Sequence, residues 1–297
     1  MSLFPGAVQE EKKTVIPPPK IEVGSSVLAG PDHPQYSADK IIAKQLAGGK
    51  SGIIAALDGV GSGGEKSAKA AEFIQEELNK AGADIFTPPT INSAIATLRT
   101  VLLVASGRIK MFQQARNDPE IDSTAAIGII CESSDSEKRF LVTANVGDSR
   151  IYRYTPSQGT AEQLTRDHTL VQALVDSGQI TSDEAFKSYG ERNIILRAVG
   201  ELRPNKKQID FGVVEVRPGD IFLAISDGVS DNITPQGLPI AIRSEYSAAY
   251  NQSTKSVDLK KFADGLAQRA QNIMNQHSAP HAKADDACVA VLRVPRV

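Results

Sequence analysis

Two stretches of the chain end an apolar run on the same pair of residues. In "GIIAALDGVGSGG", Ile53 to Leu57 lead into Asp58-Gly59, and in "FLAISDGVSDN" a second run leads into Asp227-Gly228, with Asp231 one helical turn later. Asp285 immediately precedes another apolar run, "ACVAVLRV", and Asp148 lies between two such runs in "ANVGDSRIYRY". Antiparallel strands bring ends and beginnings to one edge of a sheet, so Asp58, Asp148, Asp227 and Asp285 can converge there. Convergent carboxylates in a partly dry site repel one another and lose hydration unless cations neutralise them. An all-oxygen shell of this kind suits hard divalent ions, Mg²⁺ or Mn²⁺.

The neighbouring glycines fit that chemistry, because Gly59 and Gly228 allow a close backbone approach at which a carbonyl could serve as a ligand. Asp285 and Asp286 point to opposite faces if the strand begins there, so one of the two should reach the ion. Asp231 rejoins Asp227 if the chain turns helical after the strand. A single Asp-Gly is most often a turn. Two of them, each closing an apolar run and joined by further aspartates, favour the metal reading.

The elements that must position these groups are legible in outline. Strands are expected at 51–57, 124–131, 139–146, 149–154, 209–216, 220–226 and 287–294. Helical spacing is strongest in "INSAIATLRTVLLVASGRIKMFQQ", where Ile95, Leu98, Leu102, Ala105, Ile109 and Phe112 recur every three or four residues. Two more helices are expected over 65–80 and 257–274. "ANVGDSRIYRY" reads as a hairpin turning through Gly147-Asp148. Strands that follow one another without helices between them argue for antiparallel sheets and an α+β class. Residues 167–207 are charged and contain only short helical patterns, which suggests a surface flap.

Composition narrows the function classes. A formal net charge of −2 over 297 residues argues against a general binder of nucleic acid or anionic membranes. Apolar runs never approach the roughly 20 residues of a membrane span, and the N-terminus lacks a secretory pattern, so a cytoplasmic protein is expected. Cys131 and Cys288 sit inside apolar runs and read as buried thiols of a reducing compartment. Four dispersed histidines without metal-ligand spacing disfavour zinc. Residues 1–21, rich in charge and proline, read as a flexible tail ahead of one domain over 22–297.

With these residues in view, the sequence resembles the metal-dependent protein phosphatases, the PPM or type 2C serine/threonine family. The resemblance rests on "SAD" at 37–39, "LDGVGSGG" at 57–64, "DSTAAIGII" at 122–130, "TANVGDSRIYRY" at 143–154, "LTRDH" at 164–168, "ISDGVSDN" at 225–232 and "DDACVAVL" at 285–292. They occur in family order, and the flap text resembles bacterial-style members. The resemblance implies a four-layer αββα fold, an antiparallel β-sandwich with helices on both outer faces. It further implies two or three Mg²⁺ or Mn²⁺ ions. Asp58 would bridge two of them, the Gly59 carbonyl would bind one, Asp227 and Asp285 would complete the other, and Asp39 would act through water. Asp148 with Asp227 would hold a third ion, with Asp231 as a secondary candidate. The activity implied is hydrolysis of phosphoserine or phosphothreonine in a protein substrate by activated water, without a protein nucleophile, in a monomer.

Three positions depart from the family pattern: Ala38 stands where Glu is frequent, Pro34 where a phosphate-binding Arg is frequent, and Val60 where some members carry His. The first two bear on substrate affinity and on occupancy of the second ion. They motivate the alternative of a catalytically impaired relative that binds a phosphoprotein or another partner. His33 lies near the missing arginine, although a loop histidine is more often solvated. Arg150 and Arg153 are expected to be solvated or ion-paired, and Lys66 to be on the surface. A nucleotide-binding loop is a further alternative for "GVGSGGEKS", but Glu65 breaks the Gly-Lys adjacency that a P-loop needs.

Overall fold

The computed structural model describes residues 20–61, 64–83, 88–133, 138–187, 189–276 and 281–296. In chain order the first half contains β1 (Glu22–Leu28), β2 (Lys40–Leu46), β3 (Ser51–Leu57), β4 (Gly59–Val60), α1 (Glu65–Ala83), α2 (Ile91–Arg116), β5 (Asp122–Ser123), β6 (Ala125–Glu132), β7 (Arg139–Val146), β8 (Arg150–Thr155) and β9 (Thr160–Gln163). The remainder contains α3 (Leu170–Asp176), α4 (Ser182–Lys187), α5 (Tyr189–Arg192), β10 (Asp210–Val216), β11 (Ile221–Ile225), α6 (Asp227–Ser230), α7 (Gly237–Ala249), β12 (Tyr250–Asn251), β13 (Ser256–Val257), α8 (Leu259–Met274) and β14 (Ala287–Arg293).

Two five-stranded antiparallel sheets, ordered β1-β14-β11-β8-β9 and β10-β7-β6-β3-β2, face each other. All seven residues of β3 are buried because both of its faces are covered. Ile54 and Ala56 point into the sandwich, where they join Leu141, Phe222, Ala290 and Leu292. Ile53, Ala55 and Leu57 point outward against α1 and α2, through Ile74, Leu98 and Leu102. On the opposite flank, Ile225, Val289 and Val291 pack under Ile242, Phe262 and Leu266 of α7 and α8. The order of layers is therefore helix, sheet, sheet, helix, as expected.

Long helices form where the stripe and the end signals coincide. The α2 N-terminus is capped by Thr90, whose hydroxyl accepts from the Ser93 amide at 3.2 Å, and the helix stops at Asn117 in the left-handed region (φ 51°). The α8 N-terminus is capped in the same way by Asp258, which accepts from the Lys261 amide at 2.9 Å. Both capped ends lie at or within two residues of the ends read from the sequence.

One expectation is overturned. The runs flanking Gly147-Asp148 do not form a hairpin: β7 pairs with β6 and β10 in one sheet, whereas β8 pairs with β11 and β9 in the other. Both runs are largely buried, and each strand already has partners on both sides within its own sheet. The Gly147-Asp148 corner is thus a crossing between layers. It is held at φ +101° for Gly147, with the Thr124 side chain so close that a Cβ there would stand 2.6 Å from it.

Of the expected tail, residues 1–19 lie outside the described residues. Ile21 is fully buried in the sandwich interior, and its amide donates to the Gly49 carbonyl at 2.8 Å. Between 167 and 207 the described residues form α3, α4, α5 and a short 3₁₀ turn at Val199–Glu201, with no strand. Among the described residues no helix is long and apolar enough to cross a membrane.

Candidate metal centre

The sheet registers explain why the aspartates meet. Lys40 lies opposite Leu57, so Asp39, just before β2, stands beside Asp58, just after β3. Because β6 lies between β3 and β7, these two strands run in the same direction, and β7 delivers Asp148 to that edge through the layer crossing. In the other sheet, Ile225 lies opposite Val289, which places the end of β11 and its Asp227 beside Asp285 at the start of β14. The chain turns helical at Asp227, and the Asp231 amide donates to the Asp227 carbonyl at 2.7 Å. Asp231 thereby stands one turn after Asp227, at the C-cap of the same element.

Backbone anchors fix these ends. The Thr124 amide donates to the Asp58 carbonyl at 2.9 Å, and the Thr124 and Ser149 hydroxyls share a hydrogen bond at 2.8 Å, tying Asp58 to the Asp148 corner. Across the second sheet, the Cys288 amide donates to Ser226 Oγ at 3.1 Å, and the Ser226 amide donates to the Cys288 carbonyl at 3.2 Å. His168 supports the corner from the flap side: the Gly147 amide donates to its Nδ1 at 3.2 Å while its own amide donates to the Gly147 carbonyl. That places the ring proton on Nε2, facing Asp210 Oδ2 at 3.0 Å. Burial, the largest cause, holds the His168 pKa below its ordinary value.

Asp39, Asp58, Asp148, Asp227 and Asp231 are all buried. Burial, followed by the charges of the neighbouring aspartates, raises Asp39, Asp58 and Asp148 well above the usual carboxylate range. Burial and then Asp227 raise Asp285 to about 7. Asp227 differs: burial pushes it up, but the ammonium of Lys283 overcomes this and leaves it below its ordinary value. The Lys283 Nζ donates to Asp227 Oδ2 at 2.5 Å and stands 2.7 Å from Asp285 Oδ2.

The donor set fits a hard divalent cation. Asp39 Oδ2, Asp148 Oδ1 and Asp227 Oδ1 are buried without a hydrogen-bond partner, a costly condition for carboxylate oxygens that a cation would relieve. Among the described residues no three acidic, His or Cys side chains stand in an arrangement that could by itself hold a metal ion. The ammonium of Lys283 lies between two of the carboxylates, Asp227 and Asp285.

Several sequence expectations resolve at this edge. Asp286 turns away from Asp285: it accepts from the Gly30 amide at 2.7 Å and the Ala38 amide at 2.6 Å, pinning the 30–38 loop. The Gly228 carbonyl is engaged by the Asn232 side-chain amide at 2.8 Å, and the glycine is required instead by close packing against the backbone before β14. Gly59 is similarly crowded by the Ser67 carbonyl of α1. Arg150 is tied to Asp167 by three hydrogen bonds of 2.6 to 3.0 Å, and Arg153 pairs with Asp220. Lys66 is half exposed beside Asp118. His33 is partly buried and stacks on Tyr36 with ring centroids 4.7 Å apart, rather than standing free in solvent.

Two groups escape a reading of the sequence. Lys283 is one of many lysines, and only its place two residues before Asp285 hints at the centre. Arg192 is buried in the flap and donates to the Asp231 carbonyl at 3.2 Å. A cavity under the flap, lined by Gln172, Arg192 and Pro235 among others, opens onto Asp148 and Asp231.

Asp122 lies below the centre with a separate role. Its Oδ1 accepts from the Ser123 amide at 2.7 Å and the Gly200 amide at 2.6 Å, fastening the end of the flap, while burial raises its pKa to about 6. A carboxyl whose folded pKa exceeds its unfolded value contributes stability below the unfolded pKa and loses it as pH rises through the folded one. Asp122→Asn keeps Oδ1 as the acceptor and removes that loss. Its stability relative to the parent is expected to improve between about pH 4 and pH 7 by roughly 1–3 kcal/mol, measured by urea unfolding across that range. A constant difference over the range would refute the assignment.

The chain matches no family model. The serine/threonine phosphatase stp of Listeria welshimeri is 30% identical over 184 residues, covering 62% of this chain and 68% of that protein. Protein phosphatase PhpP of Streptococcus pneumoniae is 33% identical over 123 residues, 41% of this chain and 46% of that protein. The matched segment thus spans about half the length of the streptococcal relatives. Among solved structures, the catalytic domain of the serine/threonine protein phosphatase PstP, in complex with two manganese ions, superposes with a TM-score of 0.65 at 21% identity, covering 93% of this chain and 99% of that one.

Proposed function

Because the chain belongs to the bacterial protein phosphatase 2C-type (PPM) serine/threonine phosphatases, we propose that it removes the phosphoryl group from phosphoserine and phosphothreonine in protein substrates, as a cytoplasmic monomer that uses Mg²⁺ or Mn²⁺. The observation that carries this reading is the set of buried aspartates delivered to one sandwich edge with unpartnered oxygens. In this reading Asp58, the Gly59 carbonyl, Asp227 and Asp285 would hold the two main ions. Asp39 would act through water, and Asp148 with Asp227 would hold a third ion, with Asp231 as a secondary candidate.

Bound divalent ions would supply acidified water and offset charge on the phosphoryl oxygens. The chain's own part is to hold the carboxylates in register and to keep alternatives out. Cys131 and Cys288 are buried, and burial pushes the Cys131 thiol up to about 12, so neither offers a thiolate nucleophile. Arg150 remains committed to Asp167. The cavity under the flap, polar toward Asp148 and apolar toward Val171 and Pro239, suits residues flanking the phosphorylated side chain.

The intact protein is expected to hydrolyse p-nitrophenyl phosphate and a phosphothreonine peptide with Mn²⁺ or Mg²⁺, to lose turnover in excess EDTA and to regain it on adding metal. A folded protein that turns over neither substrate with any divalent ion would favour the binding-regulator alternative raised by Pro34 and Ala38.

A further inference from the structure

Lys283 is built into the acidic edge. Asn232, itself fully buried, clamps the lysine backbone on both sides: its side-chain amide donates to the Lys283 carbonyl at 3.0 Å and its Oδ1 accepts from the Lys283 amide at 2.9 Å. The same Asn232 holds the Gly228 carbonyl, so the lysine loop and the first turn after β11 form one unit. From there the side chain, 17% exposed, carries its ammonium to Asp227 Oδ2 at 2.5 Å and Asp285 Oδ2 at 2.7 Å. Asp231 and Asp148 also face this ammonium, with Arg192 and Arg150 facing Asp231 from the flap and β8.

An ammonium donating to a carboxylate oxygen uses lone pairs that a hard cation needs for coordination. Asp227 shows the division: Oδ2 is held by Lys283, while the buried Oδ1 has no partner. Two cations so close to the same pair of oxygens also repel each other in a poorly screened site.

We propose that Lys283 is a tethered cation that competes with a divalent ion for Asp227 and Asp285. It compensates the centre's charge when metal is absent, and metal takes up that position by displacing it. The inference rests on the assignment of Asp227 and Asp285 to the metal centre. It makes the chain a phosphatase whose metal affinity is set from within, by a residue outside the ligand set.

The test is Mn²⁺ titration by calorimetry, with free Mn²⁺ followed by electron paramagnetic resonance, on the full chain and on Lys283→Met, Lys283→Gln and Lys283→Arg. Thermal melting in EDTA accompanies each titration. Both neutral variants are expected to bind Mn²⁺ at least about tenfold more tightly, a shift that a modest change in local repulsion produces. They are also expected to melt earlier than the parent in EDTA, because the carboxylates lose their partner. Lys283→Arg should stay close to the parent in both readouts. Unchanged or weaker Mn²⁺ binding by neutral variants that fold would overturn the inference while leaving the metal centre intact. Absence of Mn²⁺ binding by the parent and all variants would instead overturn the metal centre itself.

Discussion

Asp227→Ala is expected to lower Mn²⁺-dependent phosphatase turnover by about a thousandfold or more while leaving the protein folded. The loss follows from the place of Asp227 among the clustered carboxylates. It is buried, it influences Asp58, Asp148, Asp231 and Asp285 electrostatically, and it offers one unpartnered oxygen. A cation that loses this donor loses several kcal/mol of transition-state stabilisation, which corresponds to about three orders of magnitude in rate. The fold survives for a reason specific to this cluster. Removing Asp227 relieves repulsion on its neighbours, and Lys283 retains Asp285 as a partner. Circular dichroism and calorimetric Mn²⁺ binding, measured beside kcat, check the prediction. Turnover within tenfold of the parent would remove Asp227 from the centre.

The second large effect concerns a residue with no side chain. A Cβ added at Gly228 would lie 1.7 Å from the Asp286 carbonyl oxygen and 3.3 Å from Asp285 Cβ. Neither neighbour can yield cheaply. Asp286 is held by the Gly30 and Ala38 amides, and Ser226 is paired with Cys288 immediately beside the clash. Gly228→Ala must therefore separate α6 from the start of β14. A destabilisation of roughly 3 kcal/mol or more is expected, together with weaker Mn²⁺ binding, because the clash pries Asp227 from Asp285. Urea unfolding and a Mn²⁺ titration read the two effects. Parent-like stability would mean that this junction is looser than its hydrogen bonds indicate.

Legibility in the sequence followed burial pattern. The run 51–57 matches β3 end for end and 139–146 matches β7, because mostly buried runs between turn residues leave little choice. β1, "EVGSSVL", and β2, "KIIAKQL", carry no clear strand signal of their own: serine, glycine and lysine interrupt them, and they find their places through β14 and β3 respectively. The layer crossing at Gly147-Asp148 defeats local reading for the same reason. Whether two apolar runs pair or part is decided by neighbours far away in sequence, here β10 and β11. At the site, the aspartates were visible because each one ends or begins a run. Lys283 was not, because a lysine becomes informative only when the fold shows which carboxylates it faces.

The position of β14 between β1 and β11 has a consequence in time. During synthesis, Asp39, Asp58, Asp148 and Asp227 leave the ribosome well before Lys283, Asp285 and the strand that links β1 to β11. A partly made chain therefore lacks the strand that ties β1 to β11 and carries the acidic edge without Lys283 or Asp285. The pairing that finishes this sheet is also the one that sets Asp285 beside Asp227.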